Sequence, residues 1–138
     1  MNQEDLQKKY LELQLVDQQI KSLQQQLVVL EQQAVELATL AENLEHLKKV
    51  KAQTKSFVQI GVGISVEATI ADTRDILINV GSNVAVKKTV SEAIEMIKSQ
   101  IESIGSITQN VDQEIKRFVE HASSLQEEIQ KKSQRKSS

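Results

Sequence analysis

Two heptad series, separated by one stretch that cannot continue them, constrain this chain more than any other feature of its sequence. In the first, one seam position falls at Leu6, Leu13, Ile20, Leu27, Ala34 and Ala41. The other falls at Lys9, Val16, Leu23, Leu30, Leu37 and Leu44. Apolar residues recurring about every 3.5 residues leave a stripe that another helix must cover, so the pattern predicts a coiled-coil helix over 5–51. At 1.5 Å per residue such a helix would extend roughly 65 Å. The second series runs Ile94, Ile101, Thr108, Ile115, Ala122 and Ile129, alternating with Ile97, Ile104, Val111, Phe118, Leu125 and Lys132. It predicts a matching helix over 90–132, opened by Thr89-Val90-Ser91-Glu92 as a capping box. The chain has no proline, in keeping with uninterrupted helices. Gly105 beside the second seam costs about 1 kcal/mol against alanine and marks a candidate bend. The polar, basic segment 133–138 is expected to fray.

Between the series, Ser56 to Lys88 changes period. Apolar residues alternate at Ile64, Val66, Ala68 and Ile70, and again at Ile76, Ile78 and Val80, a strand signal strengthened by β-branched side chains. Gly61-Val62-Gly63 and Gly81-Ser82-Asn83 fall where tight turns need positive φ. Asp72-Thr73-Arg74-Asp75 divides the stretch in two. The expectation is two β-hairpins over 56–88 at the base of an antiparallel two-helix coiled-coil hairpin, a single domain that is mainly α with a small β part.

Setting Leu44 against Ile94 fixes the pairing along the seam. Ala41 then faces Ile97, Leu37 faces Ile101, Ala34 faces Ile104, Leu27 faces Val111, Ile20 faces Phe118, and Leu13 faces Leu125. Small residues meet large ones, as a seam of even width requires. Beyond Leu13 the pattern puts Lys9 against Ile129 and Leu6 against Lys132, so the seam is expected to open at its tip. Further apolar residues lie off the seam at Leu11, Leu15, Val28, Val29 and Val35. Short strands with open edges are templates for pairing, so the β segment predicts oligomerisation through Ile64, Val66, Ile70, Ile76, Ile78, Val84 and Val86.

Composition narrows the function classes. Aromatics are 2% of the chain and tryptophan is absent, which argues against a large globular core. A net charge of −2 lacks the basic excess of a nucleic-acid binder. Without cysteine there is no disulfide framework and no thiolate metal site. The start of the chain shows no secretory signal pattern and no apolar run is long enough to span a bilayer, so an intracellular, membrane-free setting is expected. Catalytic chemistry finds no inventory. The histidines, His46 and His121, fall on different helices outside the seams. No ligand cluster suggests a metal, and Gly61 and Gly63 lack the lysine and hydroxyl of a phosphate loop. No catalytic residue, metal or cofactor is predicted, and the chain is not read as an enzyme.

Helix, paired hairpins and helix together resemble a prefoldin subunit of the α type, which carries two hairpins where the β type carries one. The stretch FVQIGVGISVEATIADTRDILINVGSNVAVKKTVSEAIEMIKSQI, from Phe57 to Ile101, is the part most similar to that family. Gln59 departs from it, standing where proline is common. The resemblance implies an ATP-independent holdase chaperone of the cytoplasm, in an archaeal setting. It also implies partnership with β-type subunits in an α2β4 hexamer, binding of unfolded client proteins, and delivery of them to a group II chaperonin. Joined to the unpaired tip, it implies client binding at Leu6, Tyr10, Leu11, Leu13, Leu125 and Ile129. The residues alone leave a second reading open, a structural coiled-coil scaffold or filament-forming oligomer that binds no client.

Overall fold

The computed structural model describes residues 2–136, with side chains up to Ser133. In chain order the elements are α1 (Gln3–Leu47), β1 (Thr54–Gly61), β2 (Ile64–Ile70), β3 (Asp75–Gly81), β4 (Val84–Thr89) and α2 (Val90–Lys136). Two compact units result, one from the chain up to Ala34 together with α2 from Ser103, the other from Val35–Glu102.

In the first unit the helices pack antiparallel in the register the heptads predict. Val16, Ala122 and Leu125 form one buried cluster, with Leu13, Ile20 and Phe118 against it. Leu23, Leu30 and Val111 form the next, flanked by Leu27, Ile104, Ile115 and Phe118. Phe118 belongs to both clusters, its ring spanning two layers of a seam otherwise made of aliphatic side chains. Burial of the aliphatic layers stabilises the pair by about 0.8 kcal/mol per buried methylene.

The tip departs from expectation. Ile129 is 7% exposed and Leu125 is 4% exposed, so the seam does not open there. Lys9 closes it: its side chain keeps only 24% of its exposure and its ammonium pairs with Glu128. A long aliphatic stem can cover apolar surface while its charge stays in water, and this is how a lysine serves in a seam position. The neighbouring Lys132, and then desolvation, hold the Lys9 amine below its ordinary value.

The helix boundaries also shift. α1 begins at Gln3 because Asn2 caps it, its Oδ1 accepting from the Asp5 amide at 3.1 Å. It ends at Leu47, not Lys51. Past the last seam residues, Lys49 and Val50 donate to carbonyls three residues back, which tightens and closes the helix. Gln53 then takes φ 65°, and its amide donates to the Ile70 carbonyl at 2.7 Å. α2 runs unbroken through Gly105 and on to Lys136, so residues 133–136 continue the helix and do not fray as expected. Ser137 and Ser138 lie outside the described residues.

In the second unit each hairpin is a separate two-stranded antiparallel sheet, β1 with β2 and β3 with β4. Thr89 ends β4 and caps α2: its hydroxyl accepts the Glu92 amide and donates to the Glu92 carboxylate, both at 3.1 Å. The capping box thus closes hydroxyl to carboxylate. Val90, Ala93, Ile94 and Ile97 are all buried. That spacing is an apolar stripe one residue wider than the heptad seam.

The hairpins are near copies of each other, twenty residues apart. Phe57-Val58-Gln59-Ile60-Gly61 matches Leu77-Ile78-Asn79-Val80-Gly81, and Ile64-Ser65-Val66 matches Val84-Ala85-Val86. Both ladders carry a register shift at the same place, between Gln59 and Gly61 in one and between Asn79 and Gly81 in the other. The turns differ in how they reach positive φ: Gly63 at 74° in the first, Ser82 at 51° and Asn83 at 61° in the second. Asn79 secures the second turn by accepting the Gly81 amide at 3.0 Å.

Candidate functional site

Opposed residues in an antiparallel ladder project to the same side of the sheet, which sorts each hairpin into two faces. In the first, Val58 opposes Val66 and Ser56 opposes Ala68, while the other face pairs Phe57 with Glu67 and Gln59 with Ser65. In the second, Ile78 opposes Val86, and the other face pairs Leu77 with Lys87 and Asn79 with Ala85. One face of each hairpin is therefore mainly apolar, interrupted by Ser56 in the first and by Lys88, opposite Ile76, in the second, and the other face is polar apart from one large side chain.

The seven strand residues expected to carry assembly all sit on the apolar faces. None is buried within the chain: Ile64 (59% exposed), Val66 and Val84 remain open, and Ile70, Ile76, Ile78 and Val86 are half-buried. Val62 in the first turn is wholly exposed. A contiguous apolar surface of this kind on a small sheet with free edges calls for a covering partner.

At the other end of the helices, the six residues expected to bind clients fall into two groups. Leu125 and Ile129 are buried in the seam, and Leu6 and Leu13 are half-buried beside it. Tyr10 and Leu11 are exposed, at 51% and 58%. They line a shallow groove of about 500 Å³ with Gln7, Leu13, Gln14 and Asp17. Leu15, one turn from Leu11, is also exposed, as are Val28, Val29 and Val35 further along α1. The structure thus moves the open apolar surface from the seam to the outward side of α1.

Both histidines are exposed. His121 Nε2 lies 3.0 Å from Glu12 Oε1 on the facing helix, a contact that seam arithmetic could not show because neither residue is in the seam. Asp72, between the hairpins, accepts hydrogen bonds from the Arg74 amide at 3.0 Å and its guanidinium at 3.3 Å. These hold its carboxyl below the ordinary value, the amide contributing most. Among the described residues, no helix is long and apolar enough to cross a membrane.

A helical hairpin whose small sheets expose apolar faces, and whose helices carry apolar residues off their seam, defines a coiled-coil subunit of a larger assembly. The prefoldin family profile, described as prefoldin subunit, matches residues 16–135. The chain belongs to the prefoldin family, and its two hairpins and its relatives make it an α-type subunit. It is similar to prefoldin subunit alpha of Archaeoglobus fulgidus, 24% identical over 97% of this chain and 98% of the relative. It is likewise similar to prefoldin subunit alpha of Pyrococcus horikoshii, 28% identical over 95% and 91%. Among solved structures it resembles the filamentous prefoldin of Methanocaldococcus jannaschii, determined by cryo-electron microscopy. That likeness has a TM-score of 0.76 at 20% identity, covering 83% of this chain and 95% of that one. At that identity the likeness speaks for the fold.

Proposed function

We propose that this chain is a subunit of an ATP-independent holdase. It joins β-type subunits, in an α2β4 hexamer, through the apolar faces of its hairpins. It works in the cytoplasm, holds unfolded proteins near the free ends of its helices and releases them to a group II chaperonin. The observation that carries the reading is the exposure of Tyr10, Leu11 and Leu15 beside a closed seam. A helix whose own partner is fully matched has no structural use for large apolar side chains on its outward side, and several such surfaces around one assembly bind a flexible chain by avidity. Leu125 and Ile129 support the tip without touching the client. Leu6 and Leu13 border the groove.

A photoreactive side chain tests this placement. Installed at Leu11 in the assembled complex, it should crosslink a chemically denatured client. Installed at Ile129, it should crosslink to α1 instead. Equal client capture from both positions, or none from Leu11, would remove the tip from the reading and turn attention to Val28, Val29 and Val35.

A further inference from the structure

Both helices put a lysine into the two seam layers nearest the tip. Lys9 takes the seam position opposite Ile129, and Lys132 the one opposite Leu6. The Lys9 ammonium pairs with Glu128 across the helices, and Lys132 stands close enough to lower the Lys9 amine. Two further carboxylates lie near Lys9 on its own helix, Asp5 and Glu12, with a smaller effect on it. Glu12 is engaged with His121. A leucine or methionine in place of Lys9 would close its layer without any ion pair, because such a pair is rarely worth more than the apolar contact it replaces. Closure of this tip therefore depends on one interhelix ion pair set against two neighbouring cations. Take the pair away, and two ammonium groups are left side by side over Ile129.

Resting on the holdase reading, we infer that Lys9, Glu128 and Lys132 form a latch that governs access to the seam at the client-binding end. With the Lys9–Glu128 pair made, the Lys9 stem covers Ile129, and the tip offers only the outward side of α1. With the pair broken, the two lysines repel and the helix ends separate. Leu6, Leu13, Leu125 and Ile129 then join Tyr10 and Leu11 in one apolar surface. An empty chaperone needs the seam residues covered, since open apolar helix ends would bind one another. An unfolded chain that covers Leu6 and Ile129 replaces the contacts the helices give up, so it selects the open state. The closed state is favoured by a margin small enough for a client to reverse, because a half-exposed ion pair is weak and helix ends open at low cost.

The test uses the assembled complex and amide hydrogen exchange of Ala122–Ile129 and Lys9–Val16 at low and high salt. Glu128→Lys should accelerate exchange at least about fivefold at low salt. Added salt should remove most of that acceleration by screening the repulsion. Lys9→Met should slow exchange below the parent's and reduce its salt dependence. Glu128 also stands one turn from Lys132 on α2, so the two changes are combined to isolate the contact between helices. Glu128→Lys should accelerate exchange far less in the Lys9→Met background. Equal acceleration in both backgrounds overturns the latch, as does acceleration that salt leaves intact or a Lys9→Met tip that opens more readily. If Glu128→Lys loses the parent's helix content, Glu128→Gln replaces it and must accelerate exchange about twofold or more with the same salt response. A photoreactive side chain at Ile129 should capture a denatured client in the complex carrying the Glu128 change but not in the parent. If it captures none while one at Leu11 does, the seam is not client surface and the inference fails. Silence from both positions counts against the holdase reading, and the latch then stands or falls on exchange alone.

Discussion

Replacing Ile129 with alanine separates a closed tip from an open one. At 7% exposure, Ile129 contributes three carbons that alanine lacks, and at about 0.8 kcal/mol per carbon their loss costs roughly 2.4 kcal/mol. The seam there is one helix pair thick and can partly collapse, so about 2 kcal/mol is expected, the low end of large-to-small changes. Because a helix end opens locally, the loss belongs to local unfolding and not to the melting of the whole chain. Hydrogen exchange of amides in α2 around Ala122–Ile129, and in the facing segment Lys9–Val16, reads it directly. A change of about 2 kcal/mol accelerates exchange roughly thirtyfold. Acceleration below about threefold would refute the burial argument. So would a variant with unchanged exchange that fails to protect a client, since that would make Ile129 a contact residue after all.

Gly105→Ala should stabilise the chain by up to about 1 kcal/mol, read from the urea midpoint, because α2 is helical there and an added Cβ meets nothing within 4 Å. Loss of stability would mean the glycine is needed for a bend. The Asp72 carboxyl should titrate below its ordinary range by NMR, since Arg74 stabilises its charged form. A depressed folded-state value contributes stability above the unfolded value and loses it as pH falls through the folded one, so this contribution disappears only in acid. A normal midpoint would contradict the Asp72–Arg74 turn. Val66→Asp together with Ile78→Asp should reduce the assembled mass to that of a monomer in light scattering, as unpaired charge in a shared apolar sheet is costly. Retention of the full mass would show that the apolar faces do not carry assembly.

The seam was legible because Leu23, Leu30 and Val111 obey a period that only a helix partner satisfies, and one pairing, Leu44 with Ile94, aligns the remainder. The hairpins were legible from alternation and from glycine and asparagine at the turns. Ile129 was misread because heptad reasoning treats Lys9 by its charge, whereas four methylenes of its side chain do the covering. The end of α1 was misplaced because no glycine or proline marks it; the chain turns on Gln53, whose positive φ no residue type announced. The near repeat of the two hairpins was readable in principle, by sliding the sequence twenty residues on itself. The off-seam residues of α1 were visible in the sequence as a set, but only the burial of Leu125 and Ile129 separates them from the closed seam.

The most direct measurement of the central claim is suppression of aggregation by an assembled complex carrying Tyr10→Ser, Leu11→Ser and Leu15→Ser. All three side chains are about half exposed or more, so the variant should keep the parent's helix content and assembled mass. It should nevertheless lose most of its ability to keep a denatured client in solution. A complex of normal mass that protects the client as well as the parent does would contradict the claim that this chain holds unfolded proteins by the outward side of α1.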